Sequence, residues 1–152
     1  MGRTHYEDIE VPLLLANSGR PDSEEGMIDS MGVTATFLDA LNVPSHTSFK
    51  GVSALRGGRP CVISENCGNG YADPARRNIF FTVTTPSHRM MAVLRGLNLE
   101  VDKLYDRRVD PREIHNIADD PSNQSIIQEM ELLLRAERAE IFELRQRYND
   151  AA

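Results

Sequence analysis

The sequence predicts an α+β fold, and three features carry that prediction. Three strand-like runs follow one another over residues 78–105, separated by turns too short for helical crossovers. A long amphipathic helix is expected over residues 122–148. Ahead of both stands a short apolar run, Val11–Ala16, followed by a helical segment over 29–42. The chain has 152 residues, 40% of them hydrophobic, enough for one buried core.

The elements follow in order. Val11-Pro12-Leu13-Leu14-Leu15-Ala16 is continuously apolar and ends in Asn17-Ser18-Gly19, the pattern of a short strand buried on both faces. Residues 17–26 are polar, with Gly, Pro and Asp, and form a loop. The helix over 29–42 is capped by Asp29 or Ser30, carries Ile28, Met31, Phe37, Leu38 and Leu41 as its apolar stripe, and stops at Asn42-Val43-Pro44. A loop over 44–60 leads to a short strand, Cys61–Glu65, broken by Gly68-Asn69-Gly70. The runs Asn78–Thr85, His88–Leu94 and Leu99–Tyr105 then form an antiparallel meander through turns at Pro86-Ser87 and Gly96-Leu97-Asn98. After a punctuated loop over 106–120, Asp120 caps and Pro121 opens the last helix. Ile127, Met130, Leu134, Ile141, Leu144 and Tyr148 form its stripe, interrupted by the charged Glu137, which suits packing across a sheet better than a coiled coil.

Composition narrows the function. Seventeen Lys+Arg against 23 Asp+Glu give a net charge of −6, which argues against binding nucleic acid or a membrane surface through basic residues. No apolar stretch approaches the ~20 residues of a membrane span. The start, Met1-Gly2-Arg3-Thr4-His5-Tyr6, lacks the apolar core of a secretory signal, and Tyr6 stands where a myristoylation site wants Ser or Thr. The expected location is cytoplasmic by default. Cys61 and Cys67 lack Cys-x-x-Cys spacing and read as buried thiols, and Asn123-Gln124-Ser125 is a chance glycosylation match.

No complete catalytic constellation emerges from the residues alone. The histidines at 5, 46, 88 and 115 are scattered. Asp106, Asp110 and Glu113, followed by Asp119 and Asp120, lack the carboxylate ladder of a calcium loop and read as turn residues around Pro111. Gly68-x-Gly70 lacks the third glycine of a dinucleotide turn, and no phosphate loop or nucleophile elbow is present. Ser64-Glu65 beside the cysteines has no histidine that sequence can place there.

Several segments, in order, nonetheless resemble the C-terminal part of a sulfatase of the alkaline-phosphatase superfamily. Tyr6-Glu7-Asp8-Ile9-Glu10-Val11-Pro12-Leu13-Leu14 is similar to the family's Tyr-Glu-Glu/Asp…Arg-Val-Pro-Leu-Ile segment. Ile28-Asp29 through Phe37-Leu38-Asp39-Ala40-Leu41 resembles its Val-Asp…Pro-Thr-Leu-Leu-Asp-Leu-Ala-Gly helix, and Gly51-Val52-Ser53-Ala54-Leu55 its Gly-x-Ser segment. The most specific match is Leu104-Tyr105-Asp106-Arg107-Arg108-Val109-Asp110-Pro111-Arg112-Glu113-Ile114-His115-Asn116-Ile117-Ala118, similar to Leu-Tyr-Asp-Leu-x-x-Asp-Pro-x-Glu-x-x-Asn-Leu-Ala. The resemblance covers about residues 6–145.

The resemblance implies a division of the chain. Residues 1–70 would hold a buried strand and helix from the C-terminal edge of an alkaline-phosphatase-like α/β core. Residues 71–152 would form a small antiparallel sheet packed by the long C-terminal helix. It also implies that the complete enzyme hydrolyses sulfate esters with calcium and a formylglycine made within Cys/Ser-x-Pro/Ala-x-Arg. That motif is absent from this sequence, as are the family's calcium-ligand motifs, so no cofactor is expected in this chain and inactivity alone is expected. The family's sulfate-binding Lys would fall at Met1 or Gly2, leaving Arg3 and His5 as substitute catalytic candidates. Expected partners are a missing N-terminal catalytic portion or a second copy of the chain. The competing expectation is a non-catalytic binding or oligomerisation domain. The signature over 104–118 itself is expected to be structural, with Asp106 and Asp110-Pro111 building turns and Asn116 leading toward the last helix.

Overall fold

The computed structural model describes residues 10, 11, 13, 15, 26–66 and 78–151. The chain divides into two compact units, one of Val11–Val62 and one of Met1–Glu10 with Ile63–Ala152.

The larger unit is built on a four-stranded sheet in the order β1-β2-β3-β4, with β1 Val62–Asn66, β2 Ile79–Thr84, β3 His88–Arg95 and β4 Asn98–Asp106. The meander expected over 78–105 is present, antiparallel throughout, and β1 joins it at one edge. The turn between β3 and β4 has two residues, Gly96-Leu97, with Gly96 at φ 59. A left-handed first turn residue is what a tight hairpin needs, and glycine supplies it without steric cost.

The register decides what faces the core. Ile79, Phe81 and Val83 pair with Leu94, Ala92 and Met90, so all six share one face. On β4 a bulge between the Met91–Lys103 and Ala92–Val101 pairs resets the alternation. Leu104 therefore reaches the same face as Val101 and Leu99, although it is three residues beyond Val101.

That face is covered by the C-terminal helices. Residues 121–123 form a 3₁₀ turn capped by Asp120, whose carboxylate accepts from Ser122 N at 2.9 Å. Helix α2 follows over Gln124–Glu137 and buries Ile127, Met130 and Leu134 in the sheet's apolar cluster. The single helix expected over 122–148 is in fact two, because α3 begins at Ala139 and runs to Asp150. Arg138 takes φ −127°, outside the helical range, and its guanidinium pairs with Glu65 on β1. The charge at Glu137 thus marks the end of a helix. Beyond the break, Phe142 stacks on Phe81 with centroids 6.3 Å apart, and Arg135 lies over its ring at 4.6 Å.

In the smaller unit, helix α1 spans Ser30–Ala40. Asp29 caps it, accepting from Gly32 N at 2.6 Å. Asn42, at φ 54, ends it, and Asn42 N and Val43 N return to Asp39 O and Leu38 O, closing the last turn. The apolar stripe expected to pack does so only in part, with Ile28 and Leu38 half-buried. Met31, Phe37 and Leu41 are exposed, while Gly32, Ala35 and Thr36 are buried. Close approach is the reason: a side-chain carbon at Gly32 would lie 2.8 Å from the Val52 carbonyl oxygen. Thr36 Oγ1 donates to Gly32 O at 2.7 Å and accepts from Ala54 N at 2.8 Å, tying the 3₁₀ turn Ala54–Arg56 to the helix.

Of the strand expected at Val11–Ala16, only residues 11, 13 and 15 are described. None is in a strand, and their exposures are 84%, 42% and 42%, so these three do not form the doubly buried element expected.

Candidate functional site

The second face of the sheet is buried in part, and its buried part is largely polar. Thr82 and Thr84 on β2, Arg89 and Val93 on β3, and Tyr105 on β4 occupy it. Arg89 stands on an inner strand, registered between Thr84 and Tyr105, and its side chain is 0% exposed. A buried guanidinium must have its donors and its charge answered. Nε donates to Thr84 Oγ1 at 3.0 Å, Nη1 to Glu113 Oε1 at 2.5 Å, and Nη2 to Glu10 Oε1. Arg107, just past β4, donates through Nη2 to the same Glu10 oxygen and through Nη1 to Thr85 O at 2.9 Å. Burial pushes the Arg89 pKa below its ordinary value, while Glu113 and Glu10 support the charge. Burial also raises that of Tyr105, helped by the negative charges of Glu113, Asp102 and Asp110.

The loop after β4 is shaped to deliver Glu113. Asp106 Oδ1 accepts from Arg108 N at 3.0 Å and Asp110 Oδ2 from His115 N at 2.8 Å, so both build the expected turns. Glu113 differs from the turn residue expected. It is buried, takes φ 56, and sends its carboxylate to Arg89. A left-handed non-glycine residue is held there by what surrounds it, here an ion pair in the sheet. Asn116 returns the loop to β4: Oδ1 accepts from Leu104 N at 2.9 Å and Ala118 N at 3.1 Å, and Nδ2 donates to Asp102 O at 3.2 Å. The structural role expected for the 104–118 signature is what these bonds display.

Beside this cluster, Ser87, His88 and Asp106 contribute the residue types of a hydrolytic triad. Ser87 Oγ lies 3.0 Å from His88 Nδ1, but His88 Nε2 is 3.9 Å from Asp106 Oδ2, too far for a hydrogen bond. Asp106 is instead held by the Arg108 fork at 2.9 and 2.7 Å, which lowers its pKa to about 2. An aspartate committed to arginine does not orient an imidazole, so the trio lacks the relay geometry.

Arg3 and His5, the sequence-derived catalytic candidates, lie outside the described residues, as do Cys67 and Gly68–Gly70. Glu65 is paired with Arg138. Among the described residues, no group of three or more His, Cys, Asp or Glu side chains is placed to hold a metal ion. No described helix is long and apolar enough to cross a membrane. What sequence reasoning misses is the Arg89–Glu113–Glu10 network, whose members are 24 and 79 residues apart in sequence. Its one local signal is an arginine directly before the apolar run Met90–Leu94.

No protein-family model and no curated relative matches the sequence. Solved structures do match. A protein assigned as a sulfatase from Bacteroides thetaiotaomicron VPI-5482 is similar at 25% identity and a TM-score of 0.55, over 70% of this chain and 24% of that one. A 2-O GAG sulfatase matches with the same identity, score and coverage. BT4656, solved with its substrate D-glucosamine-2-N,6-O-disulfate, shares the fold at 18% identity and a TM-score of 0.56, over 74% of this chain and 24% of its own. The chain is sulfatase-like, an α+β structure that spans about a quarter of the length of the proteins it matches.

Proposed function

We propose that this sulfatase-like chain is the C-terminal portion of a sulfuric ester hydrolase and contributes architecture to it, without a nucleophile of its own. The observation that carries this reading is the 104–118 segment. Its matched positions act as turn builders and sheet anchors, and its glutamate closes a buried ion pair with Arg89. The similarity to sulfatases supports the reaction class, sulfate ester cleavage.

On this reading the nucleophile comes from a Cys/Ser-x-Pro/Ala-x-Arg segment that the sequence lacks. Calcium would serve the complete enzyme by stabilising negative charge. The donors described here do not converge on such an ion, so no step through it is assigned to this chain. Losing an activated nucleophile costs on the order of 10⁶ in turnover in well-studied hydrolases.

The test is hydrolysis of an aryl sulfate, with added calcium, by protein free of host sulfatase. The chain alone should stay at background. Joined to or co-expressed with a segment carrying the nucleophile motif, it should turn over, and a Cys/Ser→Ala change in that motif should abolish the gain. Turnover by the chain alone, sensitive to Arg3→Ala or His5→Ala, would contradict the proposal.

One observation favours a second reading, a binding or oligomerisation domain: Phe37 on α1 and Leu41 just after it are 64% and 71% exposed. Sedimentation separates the two. A stable dimer lost on Phe37→Ser supports the second reading, and a monomer at all concentrations removes its oligomerisation form.

A further inference from the structure

On the polar face of the sheet, two guanidinium groups share one carboxylate oxygen. Arg89 Nη2 and Arg107 Nη2 both donate to Glu10 Oε1. The remaining contacts of these arginines come from the sheet and its loop: Thr84 and Glu113 for Arg89, and the Thr85 carbonyl for Arg107. Glu113 is buried and balances one of the two positive charges. Glu10 balances the other, arrives from 79 residues away, and is the most exposed carboxylate or guanidinium of the cluster at 40%.

Take Glu10 away, and the framework that remains has a net charge of +1. Two N–H donors then converge on one empty point, one of them on a buried side chain. An uncompensated buried cation is unfavourable, and paired guanidinium donors are well suited to carboxylate and sulfate-type oxygens. The geometry points to an oxyanion receptor formed by Arg89 and Arg107, whose resident ligand is the chain's own Glu10 carboxylate. A small free oxyanion occupies it when Glu10 is withdrawn. This does not rest on the sulfatase reading, because the receptor is complete within the described residues of one unit.

The experiment follows thermal unfolding of the full chain in sodium sulfate and in sodium acetate, with ionic strength matched by sodium chloride. Wild type and the double variant Glu10→Ala/Arg107→Leu report the general, non-saturating effect of sulfate on proteins. Glu10→Ala should show an additional, saturating rise in Tm of roughly 3–6 °C at about ten times the anion's Kd. Acetate should give the same kind of response. A Glu10→Ala curve that parallels the double variant in both salts overturns the inference. Should Glu10→Ala be unfolded in chloride, recovery of its far-UV circular dichroism in sulfate is the expected result, and Glu10→Gln, which keeps the side chain's size, is titrated beside it. Absence of recovery together with a flat Glu10→Gln titration also overturns it.

Discussion

In the sheet-bearing unit, Phe81, Met90, Leu94, Leu104, Met130 and Leu134 face one another and are almost wholly buried. In the unit Val11–Val62, α1 turns Gly32, Ala35 and Thr36 inward and leaves Met31, Phe37 and Leu41 to solvent. The first unit is held by apolar area, worth ~25 cal/mol per Å² removed from water. The second is held by close backbone approach, caps and short hydrogen bonds, each contributing about 1 kcal/mol. Helical periodicity alone does not reveal which face packs: at α1 the partner is a carbonyl-lined turn, and small residues are what fit against it.

If this contrast is right, substitutions in the two units should differ widely in cost. Glu113→Ala removes the buried partner of Arg89, and breaking such a pair costs roughly 3–5 kcal/mol. Leu134→Ala empties a fully buried site between α2 and the sheet and should cost about 2–5 kcal/mol. In the smaller unit, Asp29→Ala deletes the α1 cap together with the ion pair to Arg59 and should cost about 1–3 kcal/mol. Phe37→Ser should stay within about 0.5 kcal/mol, as expected for an exposed side chain. Chemical denaturation of each variant measures all four. A Phe37→Ser loss as large as that of Leu134→Ala would erase the distinction.

Two effects of pH are also expected, and both point toward acid. Asp106 is held at about 2, below its ordinary 3.8, first by the Arg108 hydrogen bond. Its contribution is therefore complete above about pH 4 and is lost as pH falls through 2. Burial lowers the His88 pKa below 6.5, Asp106 and Glu129 opposing and Arg108 adding to the shift. The neutral imidazole suits the folded chain, so this contribution is full above 6.5 and declines as pH falls toward the lowered value. Asp106→Asn should flatten the stability profile near pH 2–4, and His88→Gln should flatten it just below 6.5. An unchanged profile in either variant would remove that group from the account.

How much was legible in the sequence follows from how local each determinant is. The meander could be read because Gly96 and the Pro86-Ser87 turn act within a few residues. The Asp29 cap and the Asn42 stop were equally local. The break at Arg138 was half visible, since Glu137 interrupts the stripe, but the Glu65 partner that fixes the new direction lies 73 residues away. The polar cluster was not legible. Glu10 falls where the resembled pattern has Arg and Arg107 where it has Leu, so neither position suggested a pair. A charge within a strand also reads as facing water unless its partner is known, and the Glu113 that answers Arg89 looked like one more turn residue.

Amide hydrogen exchange of the native chain tests the contrast between the two units most directly. Exchange free energies report local opening, and the slowest amides report global unfolding. The account predicts that the amides of Phe81, Val83, Met90, Ala92 and Leu134 exchange only through global unfolding. Those of α1, from Thr34 to Ala40, should open at least about 2 kcal/mol more readily, a spread that sub-global opening commonly spans. Equal protection in α1 and in β2–β3 would contradict the account, because α1 would then be as deeply secured as the sheet despite its exposed apolar face.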